Sequence, residues 1–429
     1  MPADSIIPDI PGELLTDPNI QHHLSSRVAS MCGLSSNKFP GSQPVSFTTA
    51  SLDLLEREDF WVCEKSDGVR VLVFIVMNNM TNQQEVWLID RKERYFNVTG
   101  LYFTHWEHKN VPLKETLIDG ELVLDIDPRT GHQTLRYYAF DCMVLNEENI
   151  MEKPLDKRYA RLRNWVVTPL EASLKAHPEM RQHLPFEVVA KREELSYHLR
   201  FVMKEHIPSL QHGHDGLIFT CVQTPYIPGT DENILKWKPP SENTIDFKLE
   251  LRFPPLPNAD EPDYHAKPEF LLCAWQGRDD YEFFDFMYMS DEEWQKVKET
   301  GEQLDDRIVE VFWDSRVQIW RMLRMRNDKP HGNHRSIVDK ILHSISDGVE
   351  IEEIYARADN FKAAWKARAR QRAHPPSNVQ RQVSQQYTTG GHQEYSRNYS
   401  GPAPGGGHGD GYAHGGPGGG IAVVSGLKR

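Results

Sequence analysis

Cysteine is scarce in this sequence, and its spacing excludes two common kinds of site. The five cysteines are Cys32, Cys63, Cys142, Cys221 and Cys273. No two of them form a Cys-x-x-Cys pair, so the sequence indicates neither a structural zinc site nor a disulfide scaffold. This usage fits a reducing compartment.

Long apolar segments are absent as well. The apolar run 71–77 is about a third as long as a membrane span. The first residues include Asp4, Pro8 and Asp9, where a signal peptide has basic and then apolar residues. We therefore expect a soluble, intracellular protein with no membrane partner.

Positive charge is in deficit. The chain has 49 basic and 62 acidic residues and a net charge of −13, which argues against a protein that coats nucleic acid by bulk electrostatic attraction. Any nucleic-acid contact must then be local. A His-Cys-x5-Arg phosphatase signature is also missing from the sequence.

The chain is long enough for two domains, each with its own core, and its first half mixes two periodicities. A period of two in the apolar residues predicts strands, and a period of 3.6 predicts helices. The predicted strands are 69–77, 85–90, 117–125, 134–145 and 186–190, and the predicted helices are 19–31, 51–57, 152–170 and 191–206. We therefore predict an α+β domain built on a mostly antiparallel sheet.

From residue 244 the pattern changes to strands with few long helices. The predicted strands are 244–251, 269–275, 281–289, 307–313 and 320–326, and the predicted helices are 291–299, 337–345 and 349–372. Short strands in this number suit a small barrel. Beyond residue 373 the chain has almost no aliphatic residues until Ile421, so it cannot offset the entropy of ordering, and we predict a disordered tail.

One lysine stands between two strand-like segments. Lys65 is followed by Ser66, Asp67 and Gly68, and the flanking residues are aromatic, β-branched and apolar, so we expect it at a strand end or turn of a largely buried sheet. There, desolvation or a nearby cation can free a lysine amine to act as a nucleophile. The alternative is a strand-turn-strand with a solvated lysine, which Lys-x-Asp-Gly alone does not exclude.

Five further blocks follow this lysine in a fixed order. They are Asp119-Gly120-Glu121, Tyr138-Ala139-Phe140-Asp141, His214-Asp215-Gly216, Lys236-Trp237-Lys238 and Arg324-Met325-Arg326-Asn327-Asp328-Lys329. Together the six blocks closely resemble the covalent nucleotidyltransferase superfamily of mRNA capping guanylyltransferases and polynucleotide ligases. Segments 39–47 and 63–68 are similar in particular to the fungal-type guanylyltransferase (alpha) subunit of mRNA capping enzymes.

The resemblance implies a two-step reaction with GTP as the substrate. Lys65 would attack the α-phosphate, pyrophosphate would leave, and GMP would pass from the lysine to the diphosphate end of an RNA. Glu121 and Arg70 resemble residues that hold the ribose, and Phe140 resembles the aromatic that stacks on the base. Arg91 would also face the nucleotide.

The block that contains Asp215 and the block that contains Lys236 and Lys238 place charged side chains near the phosphates. Lys236 and Lys238, at a spacing of two, project to the same side of a strand, and the resemblance has them neutralise α-phosphate oxygens. The alternative is an exposed strand edge with protective lysines. Asp215 would help to place a divalent metal, Mg²⁺ or Mn²⁺. We interpret the neighbouring residues 212–214 as a polar loop, not as metal ligands.

The last block lies in the second half of the chain. Arg324, Arg326 and Lys329 would reach the β- and γ-phosphates only if two domains close, with Asp328 orienting a guanidinium. The alternative is a cation strip that binds RNA. Residues 239–243 are the predicted hinge between the domains, and the alternative is that the proline pair in this link acts as a rigid spacer.

The predicted fold class is α+β, with an antiparallel-sheet nucleotidyltransferase domain followed by an OB-fold barrel. The predicted divisions are a nucleotidyltransferase domain (1–243), the OB-fold domain (244–345), a C-terminal helix (346–373) and a disordered Gly-rich tail (374–429).

Two other functions remain open at this point. An ATP-dependent polynucleotide ligase shares the lysine and the general scheme, and the residues alone do not select guanine over adenine. A non-enzymatic RNA or polymerase adaptor on the same scaffold would not need to keep Lys65, Lys236, Lys238 and Arg326.

The resemblance also implies partners and a compartment. They are a separate RNA 5′-triphosphatase (beta) subunit, the phosphorylated C-terminal tail of RNA polymerase II and the 5′ end of nascent mRNA, all in the nucleus.

We predict that a chain truncated after Arg372 retains guanylyl transfer, because the tail has too little apolar content to pack on an active site. Transfer of labelled GMP to diphosphate-ended RNA measures this. A large loss of activity in a truncated chain that is still folded would contradict the prediction.

Overall fold

The computed structural model describes residues 6–257 and 261–373, so the predicted tail lies outside the described residues. Its helices are α1 (Pro18–Met31), α2 (Thr49–Arg57), α3 (Leu155–Arg161), α4 (Thr168–Ala176), α5 (Leu199–Phe201), α6 (Asp291–Thr300), α7 (Arg335–Ser346) and α8 (Ile351–Ala373). Within those described ranges, no helix is both long and apolar enough to cross a membrane.

Strands make up most of the remaining regular structure. In chain order they are β1 (Glu13–Leu14), β2 (Ser42–Ser46), β3 (Phe60–Ser66), β4 (Val69–Asn78), β5 (Gln83–Asp90), β6 (Tyr95–Val98), β7 (Thr116–Ile126), β8 (Gln133–Leu145), β9 (Glu148–Asn149), β10 (Glu187–Ala190), β11 (Glu194–Leu195), β12 (His214–Cys221), β13 (Gly229–Trp237), β14 (Thr244–Arg252), β15 (Glu269–Gly277), β16 (Asp280–Tyr288), β17 (Arg307–Asp314) and β18 (Ile319–Met325).

The first sheet has the order β1-β6-β5-β4-β7-β8-β10, with β9 beside β8, and only the β8–β10 pair is parallel. Successive side chains of a strand point to opposite faces of the sheet. On β4 the side chains of both faces are buried over most of the strand. Val71 and Val73 pack in the core that α4 covers. Leu72 and Phe74 pack in the core that α1 covers. The continuous apolar run of this strand is therefore the signature of a sheet covered on both sides.

The second sheet has the order β11-β3-β12-β13-β2. Strand β3 carries Lys65 near its end and pairs antiparallel with β12, where Ser66 lies opposite His214 and Glu64 lies opposite Leu217. The register shifts between these two pairs, so β12 has a bulge beside the lysine. Lys65 thus lies at the strand end that the sequence predicted.

Two predicted helices need correction. The helix predicted over 152–170 begins at Leu155, directly after Pro154, and continues through a π-helical turn into α4. The helix predicted over 191–206 is wrong over its first residues, because Glu194 and Leu195 form β11 and pair with β3. Helical backbone begins at Ser196. Periodicity assigns polar residues to solvent. The prediction therefore placed Lys191 on the exposed face of a helix, whereas Lys191 is buried.

The second half of the chain forms a closed barrel with the strand order β14-β15-β16-β18-β17. Helix α6 connects β16 to β17, and the barrel is filled by side chains that include Phe247, Leu272, Val309 and Trp320. A five-stranded closed barrel of this kind is an OB-fold. The predicted fold class, α+β with a following OB-fold barrel, is confirmed.

Helix α8 packs against the second sheet. Ile354 and Phe361 belong to the same buried cluster as Val62 of β3. The side chain of Trp237, at the end of β13, donates a 2.7 Å hydrogen bond to the carbonyl of Val349 just before α8. The segment predicted as a C-terminal helix is therefore part of the core beneath β3.

We expect Phe361→Ala to lower the free energy of unfolding by about 3–5 kcal/mol, because Phe361 is 1 % exposed and truncation leaves a cavity under β3. Chemical denaturation of the purified protein measures this. Lys366→Ala changes an exposed position of the same helix and is the matched control. Equal stability of the two variants would show that α8 does not complete this core.

Candidate active site

The amine of Lys65 lies between the two sheets and contacts a carboxylate. Its Nζ is 2.5 Å from Oδ1 of Asp215, and the two side chains are 26 % and 24 % exposed. Lys238 contacts the other oxygen of the same carboxylate. Burial would raise the pKa of Asp215, but the hydrogen bonds from Lys238 and Lys65 hold it below its ordinary value. Asp215 is thus an ionised bridge between two of the predicted site lysines.

Glycine is required beside this bridge. Gly216 has a φ of +143°, and a Cβ there would come within 2.0 Å of the carbonyl oxygen of Trp237. The bulge in β12 therefore needs glycine. Gly68 also permits a close approach, since a Cβ would lie 2.3 Å from the carbonyl of Leu122. The neighbour of Gly68 is therefore β7 of the first sheet.

Lys236 completes a group of cations. Burial and the nearby charges of Lys65 and Lys238 lower the pKa of the Lys236 amine. No ion-pair partner for Lys236 occurs within residues 6–257 or 261–373. Lys236 is therefore the cation of this group that is available to an anionic ligand.

A cavity of about 140 Å³ opens between the sheets beside Lys65. Among the predicted site residues, its lining includes Lys65, Arg70, Arg91, Glu121 and Phe140. The structure therefore brings the predicted nucleophile, the predicted ribose contacts and the predicted stacking ring into one cavity.

Arg70 is already engaged by protein groups. Its Nε and Nη2 donate to the two oxygens of Asp119 at 3.0 and 2.5 Å, and Nη1 donates to the carbonyl of Ser42. Burial opposes the charge, yet Asp119 raises the pKa of Arg70 above its ordinary value. The guanidinium lies 5.5 Å from the centre of the Phe140 ring. Arg70 thus supports the wall of the cavity through a buried, two-pronged ion pair.

Glu121 is a carboxylate of the cavity with few protein partners. Burial raises the pKa of Glu121, although the charges of Lys191 and Lys65 act in the opposite direction. Within the described ranges no hydrogen bond reaches its carboxylate. A carboxylate in this state can accept hydrogen bonds from the hydroxyls of a sugar.

Several buried polar residues of the site were missed by the sequence reasoning. Lys191 Nζ donates to Ser66 Oγ at 2.7 Å and lies 3.2 Å from Oε1 of Glu64, and Lys191 also lines the cavity. His212, which we had interpreted only as part of a polar loop, is buried beside the same residues. The usable signal for Lys191 was its position directly after the predicted strand 186–190.

The last block forms its own ionic group on the barrel. Arg326 donates to both oxygens of Asp328 at 2.9 and 2.8 Å and to Asp246 at 3.1 Å, and Lys329 also contacts Asp246. Arg324 donates to Glu310 at 2.7 Å. Asp328 does contact a guanidinium, as predicted.

These barrel cations face a different cavity. Arg326 and Lys329 line a cavity of about 400 Å³ together with Lys248 and His331. None of the four residues predicted in the last block is among those lining the cavity around Lys65. The two groups of site residues are therefore separate in this structure.

The site fits a metal held partly by substrate. In the described part of the chain, no three His, Cys, Asp or Glu side chains cluster as metal ligands. Asp215 is a single carboxylate in contact with lysines. Mg²⁺ and Mn²⁺ suit one or two carboxylates combined with phosphate oxygens. The single carboxylate of Asp215 is compatible with an ion of this kind that is shared with the phosphates of a nucleotide.

The antiparallel sheets, the OB-fold barrel and the lysine-bearing cavity define a nucleotidyltransferase. Two family models match the chain: mRNA capping enzyme, catalytic domain, over residues 8–240, and mRNA capping enzyme, C-terminal domain, over residues 242–355. The chain belongs to the mRNA capping enzyme family, and it is an mRNA guanylyltransferase.

Two relatives that share a name are similar in sequence to most of this chain. The mRNA-capping enzyme subunit alpha of Schizosaccharomyces pombe is 41% identical over 359 residues, covering 83% of this chain and 88% of the relative. That of Saccharomyces cerevisiae is 37% identical and covers 85% and 88%. A solved structure, mycobacterial DNA ligase D complexed with ATP and MES, is 15% identical with a TM-score of 0.34 and covers 67% of this chain and 95% of that one. The predicted capping function is confirmed, and the ligase alternative is set aside.

Proposed function

We propose that Lys65 is the nucleophile that carries GMP between GTP and the RNA. The supporting observation is the state of the two lysines that line the cavity. The side chain of Lys65 is 26 % exposed, whereas that of Lys191 is 4 % exposed and committed to Glu64 and Ser66. Only the amine of Lys65 can then approach a bound phosphate without breaking a buried ion pair.

In the first step the Lys65 ammonium gives a proton to solvent, and the resulting amine forms a bond to the α-phosphorus of GTP. The bond from that phosphorus to pyrophosphate breaks, so the products are lysine-GMP and pyrophosphate. Asp215 holds Nζ of Lys65 in position. Lys236 and Lys238 neutralise the α-phosphate oxygens in both steps.

The nucleoside end follows from the cavity walls. Glu121 accepts hydrogen bonds from the ribose hydroxyls, and Phe140 stacks on the guanine base, with Arg70 supporting the ring from behind. Arg91 contributes positive charge toward the phosphates. When bound, Mg²⁺ or Mn²⁺ neutralises phosphate charge, and Asp215 is the carboxylate that would hold it.

In the second step a diphosphate-ended RNA attacks the same phosphorus. A terminal phosphate oxygen of the RNA bonds to that phosphorus, and the bond from phosphorus to Lys65 breaks as the lysine nitrogen takes up a proton from solvent. The RNA end thereby receives GMP. We propose that, when the two domains close, the barrel residues Arg324, Arg326 and Lys329 clamp the β- and γ-phosphates, with Asp328 fixing Arg326. This clamp serves the first step, in which pyrophosphate must leave in line with the lysine.

We further propose that the chain works as one subunit of a capping complex in the nucleus. The relatives named above are alpha subunits, which supports a partner subunit. The proposed partners are an RNA 5′-triphosphatase, the phosphorylated tail of RNA polymerase II and the 5′ end of nascent mRNA.

We expect Lys65→Arg to abolish the covalent adduct with labelled GMP, because a guanidinium keeps the charge but is not a usable nucleophile. The wild-type adduct should be acid-labile and alkali-stable, as a phosphoramidate is, and peptide mapping should place it on Lys65. Lys92→Arg, at an exposed lysine near the site, is the control. Adduct persisting in Lys65→Arg would remove Lys65 from the role.

We expect Arg326→Ala and Lys329→Ala to abolish or nearly abolish adduct formation but to leave GMP transfer largely intact, because the clamp acts only while pyrophosphate is the leaving group. Residual adduct can be accumulated at high GTP with pyrophosphatase present, separated from GTP and mixed with diphosphate-ended RNA. Arg316→Ala removes a barrel cation whose side chain is 92 % exposed and is the control. Normal adduct formation with failed transfer would show instead that the block binds RNA.

A further inference from the structure

The strand end that carries Lys65 is anchored on both sides of the lysine. Its neighbours Glu64 and Ser66 are 1 % and 2 % exposed. Lys191 contacts both of them, at 3.2 Å and 2.7 Å. His206 contributes a further contact, with Nε2 3.2 Å from Oε2 of Glu64. Lys65 therefore stands between two residues that cannot shift without disturbing buried polar contacts.

His212 connects this strand end to the first sheet. One ring nitrogen, Nε2, lies 3.4 Å from Ser66 Oγ and 3.7 Å from Oε1 of Glu64. The other, Nδ1, lies 2.6 Å from Oδ1 of Asp125 on β7. Tyr138 donates to the second oxygen of Asp125 at 2.8 Å. The imidazole thus bridges the two sheets that enclose the cavity.

The loop that carries His212 is fixed at the backbone as well. The amide of Ile126, at the end of β7, donates to the carbonyl of Gln211 at 2.8 Å, and the amide of Asp67 donates to the carbonyl of Gly213 at 2.9 Å. His212 is therefore held on both sides, and its ring is presented to both sheets at once.

The charges around the ring favour two donated hydrogen bonds. Burial would lower the pKa of His212, but Asp125 and Glu64 raise it. The form in which both nitrogens carry a proton is thereby favoured, and each proton has an acceptor. This arrangement resists rotation of the ring better than a single contact would.

We propose that His212 is a positioning residue for the nucleophile Lys65. His212 bridges Asp125 to Ser66 and Glu64, and this bridge fixes the direction of the Lys65 side chain. The inference rests on the proposed role of Lys65 and adds to it. His212 is buried and does not line the cavity beside Lys65, so it acts through its neighbours.

The expected effect is on the chemical step. Attack on phosphorus tolerates little misplacement, and a shift of about 1 Å in a reacting group can cost about 100-fold in rate. Loss of the bridge should therefore slow formation of lysine-GMP by about 10- to 100-fold, while the dissociation constant of GTP stays the same.

The experiment uses three variants of the full chain. His212→Ala removes both contacts. His212→Asn places an amide near the position of Nδ1 and keeps the contact to Asp125, whereas His212→Gln places it near Nε2 and keeps the contact to the β3 side. Rapid-quench measurement of one turnover with labelled GTP, over a range of GTP concentrations, gives the rate and the affinity separately. His198→Gln, at a half-exposed histidine, is the control.

We expect Ala to be slowest, Asn and Gln to recover part of the rate, and GTP affinity to match wild type in all three. If His212→Ala does not fold, the two amide variants carry the test. An unchanged rate per folded molecule, or a loss confined to GTP affinity or to thermal stability, would overturn the proposal. Failure of the Lys65 assignment is seen separately, as wild-type adduct that maps to another residue.

Discussion

The pairing of β3 with β12 is the contact on which the site depends. It places Ser66 opposite His214 and then admits a bulge, so that Asp215 leaves the regular alternation and meets the amine of Lys65. Because the side-chain period of a strand is two, a slip of one residue would turn Lys65 toward the apolar core. Burial of the apolar residues therefore sets the register, and the contact between Lys65 and Asp215 depends on it.

The same strand shows how the protein keeps charges in its interior. The buried carboxylate of Glu64 meets Lys191 and His206, and the buried carboxylate of Asp119 meets Arg70 and the hydroxyl of Tyr226. Ion pairs of this kind contribute little net stability but cost several kcal/mol when one partner is lost. Their value here is geometric, since they fix the walls of a cavity whose ligand is itself highly charged.

The sequence predicted most of the regular elements, the fold class and the cavity residues that belong to the recurring blocks. It could not predict Lys191 or His212 as buried, because periodicity assigns polar residues to solvent unless their partners are known, and those partners lie far away in the chain. It also could not place α8 beneath β3, since an amphipathic face indicates that a helix packs but not against what. Asp246 was missed for the same reason, because only the folded barrel brings it to Arg326 and Lys329.

The connections of the barrel to the rest of the chain have a mechanical consequence. The chain leaves the second sheet after Trp237 and returns to it at Val349, and these two residues are joined by a hydrogen bond. Gly348 packs so closely on Pro240 that a Cβ would lie 2.5 Å from the proline ring. Two chain connections held side by side resist sliding and twisting of the barrel relative to the second sheet. They permit rotation of the barrel about the line that joins them. Such an attachment would restrict any movement of the barrel relative to the second sheet to rotation about that line.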